Sequence, residues 1–138
     1  MGSYTFGRTV DLPFAEAVTR VTEALANEGF GVLTQIDVAA TLKKKLEQTL
    51  PPYLILGACN PQFASKAIAA EPQIGALLPC NVVVRTDEHG QTRVEIMDPL
   101  AILALVDRPE VSALAQGVRQ HLERVLAALP ERLPQHTS

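Results

Sequence analysis

The chain has 138 residues, 47% of them hydrophobic, and its 12 basic and 15 acidic side chains leave a formal net charge of -3. That length and apolar content suit one domain whose core needs no disulfide or metal staple. The weak negative charge gives no general attraction to phosphate backbones or anionic lipid, and no stretch approaches the ~18 apolar residues of a membrane span, so neither nucleic acid nor a membrane is expected as a partner.

Tyr4 and Phe6, then Thr9 and Val10, predict a first strand interrupted at Gly7. Asp11 and Pro13 open a helix in which Phe14, Ala17, Val18, Val21 and Leu25 follow the i, i+3, i+4, i+7 rule, and Gly29 is its left-handed stop. Phe30, Val32, Thr34 and Ile36 are expected on one side of the next strand. Asp37 then caps a short helix carrying Leu42 and Leu46, decorated by Lys43, Lys44 and Lys45. Pro51-Pro52 ends that helix, and residues 53–58 read as a short central strand.

Asn60-Pro61 reads as an N-cap followed by proline at the first helical position, with Phe63, Ala64, Ala67 and Ile68 as the inward stripe. Residues 80–86 and 92–97 alternate and are joined by Asp87-Glu88-His89-Gly90, a β-hairpin signal. Asp98-Pro99 repeats the cap-plus-proline device before residues 100–106, and Asp107 and Pro109 start a long last helix. Its stripe is Val111, Leu114, Ala115, Val118, Leu122, Val125, Leu126 and Leu129. Pro130 stops this helix, which sets a single domain at 1–129 and a disordered polar tail at 130–138. The order of elements predicts an α+β fold, a mostly antiparallel sheet packed by helices on one face.

The two cysteines each precede an asparagine at the edge of an apolar run. If their strands are antiparallel neighbours, Cys59 and Cys80 share one sheet end, where the helix starting at Asn60-Pro61 directs its positive dipole end and unpaired N–H groups. The alternative is core filling, since free cysteine often behaves as a small hydrophobe. The pair lacks the CxxC spacing of zinc sites, and Met97 on an adjoining strand is the one soft donor that would complete a Cu(I)-like set. His89 at the hairpin tip, His121 on the last helix and His136 in the tail read as solvated; Asp98 and Asp107 read, like Asp37, as caps. No G-x-G-x-x-G, P-loop, G-x-S-x-G or H-E-x-x-H occurs.

Taken together, "GFGVLTQIDVAATLKKKL" (29–46), "LGACNPQFASKAI" (56–68) and "LPCNVVV" (78–84) resemble the prokaryotic domain of unknown function 302 family. The resemblance runs to about Leu129, with Asp37, Cys59, Asn60, Pro61, Pro79 and Cys80 as matching positions. It implies a curved antiparallel sheet of the TATA-box-binding-protein-like class and a homodimer, and it carries no activity and no catalytic residue.

The leading expectation is a small cytoplasmic homodimer that binds a small ligand or soft metal at Cys59, Asn60, Cys80 and Asp37, with Met97 as a further metal donor. A cytoplasmic setting follows from the first 20 residues, which have neither a charged n-region nor a long apolar h-region. One alternative is a thiol-dependent enzyme or sulfur carrier, with Cys59 as nucleophile and Cys80 as resolving partner. The other is a structural or interaction module with inert cysteines.

Overall fold

The structure, a computed structural model, describes residues 3–133. Its strands are β1 (Thr5–Val10), β2 (Gly31–Asp37), β3 (Tyr53–Cys59), β4 (Cys80–Thr86) and β5 (Thr92–Met97). Its helices are α1 (Phe14–Asn27), α2 (Val38–Leu46), α3 (Pro61–Ala70), α4 (Pro99–Ile102) and α5 (Pro109–Ala127), with 3-10 turns at Pro72–Leu77 and Leu103–Leu105. The strands form one open sheet in the order β1-β5-β4-β3-β2, and every neighbouring pair is antiparallel. No helix among the described residues is long and apolar enough to cross a membrane.

Strand alternation builds the core. Leu54, Leu56 and Ala58 on β3 lie opposite Val84, Val82 and Cys80 on β4, while Val94 and Ile96 on β5 oppose Val84 and Val82. This continuous apolar face is buried beneath Ala17, Val21 and Leu25 of α1 and Val118, Leu122 and Val125 of α5. Each large side chain buried there contributes about 1.5–3 kcal/mol relative to exposure. Arg119 ties α5 to the sheet end, donating to Asp98 Oδ2 at 2.6 Å and lying 4.0 Å over the Phe6 ring.

Four local expectations change in three dimensions. Gly7 does not interrupt β1; it pairs with Glu95, and a Cβ there would run into the Val94 carbonyl. Glycine therefore lets the edge strand lie close on β5. In β2 the register shifts between Val32 and Thr34, so Val32 opposes the buried Ala58 while Thr34 opposes Gly57 on the other face. This bulge at Leu33 separates Phe30 and Val32 from Thr34 and Ile36, which plain alternation had put on one side.

Asp37, Asn60 and Asp98 cap their helices, accepting from the N–H of Ala40, Phe63 and Leu100 at 2.8, 3.2 and 2.9 Å. Asp11 and Asp107 do not cap. The N-cap positions fall on Pro13 and Arg108, which leaves both carboxylates too early in the chain to reach the first-turn N–H groups. The expected tail is also ordered at its start. Asp11 N–H donates to Pro130 O at 2.8 Å, Arg132 N–H donates to Thr9 O at 2.9 Å, and Glu131 bridges Val10. The outer edge of β1 offers unpaired backbone groups, and residues 130–132 take them up. The rest of the tail, 134–138 with His136, lies outside the described residues.

The sheet face away from the core carries an ionic ladder. Arg85 and Arg93 sit directly opposite one another, and Glu95 accepts two hydrogen bonds from Arg85, at 2.7 and 3.1 Å, and lies 3.6 Å from Arg93. The hydrogen bonds from Arg85, then the charges of Arg85 and Arg93, hold the Glu95 carboxyl below its ordinary range against the opposing effect of burial. Glu95→Gln is expected to lower stability by about 1–2 kcal/mol, because it leaves two cations facing across the strands. Urea unfolding at low and high salt checks this, the loss shrinking as salt screens the arginines. A depressed carboxyl stabilises the fold above its unfolded value, so the wild-type advantage also fades as pH falls through the Glu95 titration.

Candidate functional site

The antiparallel pairing of β3 and β4 puts Cys80 opposite Ala58, so Cys59 and Cys80 occupy the same end of the sheet, where α3 begins. Asn60 stands between strand and helix with its side chain spent on the cap. Both thiols are free; Cys80 is 2% exposed on the core face and Cys59 is half-buried. The gap they line with Asn60, Phe63 and Pro79 measures about 10 Å³, room for no more than a water. Burial, and secondarily the neighbouring Cys59, pushes the Cys80 thiol up to about 12, so it stays protonated at neutral pH.

The other expected site residues lie elsewhere. Asp37 pairs with Leu54 at one end of β2, whereas Gly31 at the other end pairs with Cys59. A strand length therefore separates Asp37 from the thiols, and its carboxylate is occupied as a cap. Met97 is on β5 opposite Thr5; it alternates with Ile96, whereas Cys80 shares the Ile96 face. Among the described residues, no group of three or more His, Cys, Asp or Glu side chains is placed to hold a metal ion.

What lies beside Asn60 is a groove of about 200 Å³ between α3 and α5. Phe63, Leu114 and Val118 supply its apolar lining, and Asn60, Gln62, Lys66 and His121 its polar one. Lys66 makes no ion pair among the described residues, and no carboxylate lines the groove. Behind His121 stands Glu28, just past the end of α1. Its Oε1 is 2.8 Å from His121 Nδ1 and accepts from Arg124 Nε at 2.9 Å. The hydrogen bond from His121, then that from Arg124, holds the Glu28 carboxyl below its ordinary range.

Arg124 Nη2 also lies 2.8 Å from the same Nδ1. The Glu28 contact uses an Nδ1 proton and the Arg124 contact uses an Nδ1 lone pair, so a single ring makes one of the two bonds at a time. Either way Nδ1 is engaged, and Nε2 is the nitrogen left for a ligand, an acceptor while Nδ1 bonds Glu28 and a donor while Nδ1 accepts from Arg124. His121 had read as a solvated helix flank. The available signal was Gly117, one turn earlier, which leaves the α5 surface open at that point.

A larger concavity of about 440 Å³ lies at the far end of the sheet, lined by Asp11, His89, Gln91 and Arg132 among others. There Asp11 already lies 3.6 Å from Arg132, so the charge is balanced. The groove beside Asn60 is smaller but keeps a cation without a partner, which makes it the better candidate. A Cβ on Gly117 would meet nothing within 4 Å. Gly117→Ala is accordingly expected to raise stability by about 0.5–1 kcal/mol through helix propensity alone. A chemical melt checks this; a loss would mean that packing demands the glycine.

An open antiparallel sheet with helices on it defines a small α+β protein, and a cation-bearing groove opens beside two thiols at one end of that sheet. The chain belongs to the family described as "Domain of unknown function DUF302", whose profile matches residues 6–129. It is similar to the crystal structure of an uncharacterized conserved DUF302 protein from Bacillus stearothermophilus, with 28% identity and a TM-score of 0.87 over 93% of this chain and 99% of that one. No curated protein matches it. The family read from residues 29–46, 56–68 and 78–84, and the α+β fold it implied, are thus both shown.

Proposed function

We propose that this protein is a cytoplasmic, homodimeric binding module for a small molecule, which it seats in the groove between α3 and α5 beside Cys59 and Asn60. The observation that carries this reading is the groove itself: an apolar lining edged by an unpaired cation, with a helix-interior glycine that keeps it open. A soft metal between the thiols is the poorer reading. The ion would have to displace a proton from a thiol raised to about 12, inside a gap of about 10 Å³. The thiol-enzyme alternative is left with one accessible sulfur, Cys59, and no thiolate partner at neutral pH.

A second copy is supported by the β2 edge. Leu33, Ile36 and Leu46 are 68, 50 and 67% exposed there, and α2 buries none of its residues. Apolar side chains along an unpaired sheet edge favour association.

Native mass spectrometry of the protein purified from its own cells tests both parts, with the Gly117→Met variant alongside. The expected wild-type spectrum is a dimer with extra mass that is lost on denaturation, and Gly117→Met, which fills the groove, lacks that excess. A wild-type protein without bound mass, or one whose excess survives in Gly117→Met, would sink the ligand assignment. A monomer would sink the dimer.

A further inference from the structure

We infer that the molecule taken by this groove is a small organic anion, with its carboxylate or phosphate held by Lys66 and His121 and its apolar body against Phe63 and Leu114; this rests on the binding-module reading. The protein as a whole is negative, at -3, yet the charged side chain that lines this groove is a cation, Lys66. Lys66 comes from α3, and behind the groove Glu28, just past α1, already bonds Arg124 and His121. No carboxylate lines the groove, and Lys66 has no ion-pair partner among the described residues.

The first turn of α3 adds a donor. Pro61 has no N–H, and Asn60 uses its side-chain oxygen on the Phe63 N–H, so the Gln62 N–H is left over, and Gln62 lines the same groove. Lysine and amide donors over an apolar lining, joined by His121 Nε2–H in the tautomer whose Nδ1 accepts from Arg124, and with no carboxylate among them, suit an anionic head on an apolar body and disfavour a cation.

The test is a titration of the isotope-labelled full chain followed by amide NMR, with benzoate, phenyl phosphate and neutral benzamide as probes. The expected result is saturable shifts at Gln62, Lys66, Gly117 and His121 with both anions, and at least about tenfold weaker binding of benzamide. The tighter of the two anions identifies the head group. Lys66→Gln, an exposed position that leaves the fold intact, is expected to weaken anion binding about tenfold, and Gly117→Met to abolish it.

Benzamide binding the groove as tightly as benzoate, or Lys66→Gln binding unchanged, would overturn the anion inference while leaving a binding groove in place. Absence of saturable shifts at these amides with all three probes would overturn the groove and the anion together.

Discussion

Phe63→Ala is expected to lower the unfolding free energy by about 3–5 kcal/mol, the largest effect of any single truncation near the site. The ring is 6% exposed, and it lines both the gap beside the thiols and the groove between α3 and α5. Removing it takes away the transfer energy of the aromatic group and joins the two spaces into one cavity that the sheet end cannot collapse to fill. The capping bond is to the Phe63 backbone N–H, so the helix start survives and the loss reports packing. Phe63→Leu, which keeps most of the volume, should lose about 1–2 kcal/mol. Urea unfolding of both variants measures this. A loss for Phe63→Ala of less than about 0.5 kcal/mol, as for a surface change, would show that the ring holds nothing together. In the folded Phe63→Ala protein, Cys80 should also become open to alkylation.

Alkaline pH should unfold the protein through Cys80. The ordinary thiol value is 9.0 and the folded one is pushed up to about 12, chiefly by burial. Between these values the folded chain holds a proton that the unfolded chain has released, so ν_U is below ν_N and stability falls as pH rises. The contribution is fully present below about pH 9 and drains away toward pH 12, at about 1.4 kcal/mol per pH unit, or about 4 kcal/mol in all. The comparison is with Cys80→Ala, which removes this thiol alone and leaves every other group in place. Its own cavity makes it less stable than wild type at pH 8, and the gap should narrow with each step upward in pH. Parallel curves would mean that the folded thiol titrates like the unfolded one. The same burial predicts that iodoacetamide at pH 8 modifies Cys59 in the native protein and leaves Cys80 for the unfolded one.

Local chemistry carries much of the fold. The alternation of residues 80–86 and 92–97 around Asp87-Glu88-His89-Gly90 is a hairpin because two-residue periodicity and turn residues act on neighbours in the chain. Asp37, Asn60 and Asp98 cap for the same reason, each carboxylate or amide reaching an N–H two or three residues on. Asp11 and Asp107 look the same in one dimension, but the helix start moves by a residue or two according to where proline fixes the backbone. Leu33 shows a different limit. A bulge inserts one unpaired residue, and nothing in "GVLTQID" says where the partner strand will skip, because that is decided by the fit of β2 to β3.

The groove shows the limit most fully. Lys66 belongs to a helix that reads as a simple inward stripe, and His121 to another 55 positions on. Each alone is a polar residue outside the apolar stripe of an amphipathic helix, with no signature of its own. Glu28 comes from a third helix end. Lys66 and His121 line one groove because α3 and α5 pack together, and Glu28 reaches His121 because α1 packs on α5; that packing is set by apolar residues that carry no chemistry.

From its order of residues alone, this protein was determined to be an α+β protein of the DUF302 family, with an antiparallel hairpin, capped helices and two thiols at strand ends. Periodicity, caps and turns act over a few residues, and a one-dimensional pattern is enough to see them. Only the tertiary structure decided that Cys80 is buried in the core, that Asp37 lies a strand length from the thiols, and that Lys66 and His121 line one groove beside them with Glu28 behind His121. Burial and charge pairing depend on which distant surfaces close over a group, and that is a property of the packed chain.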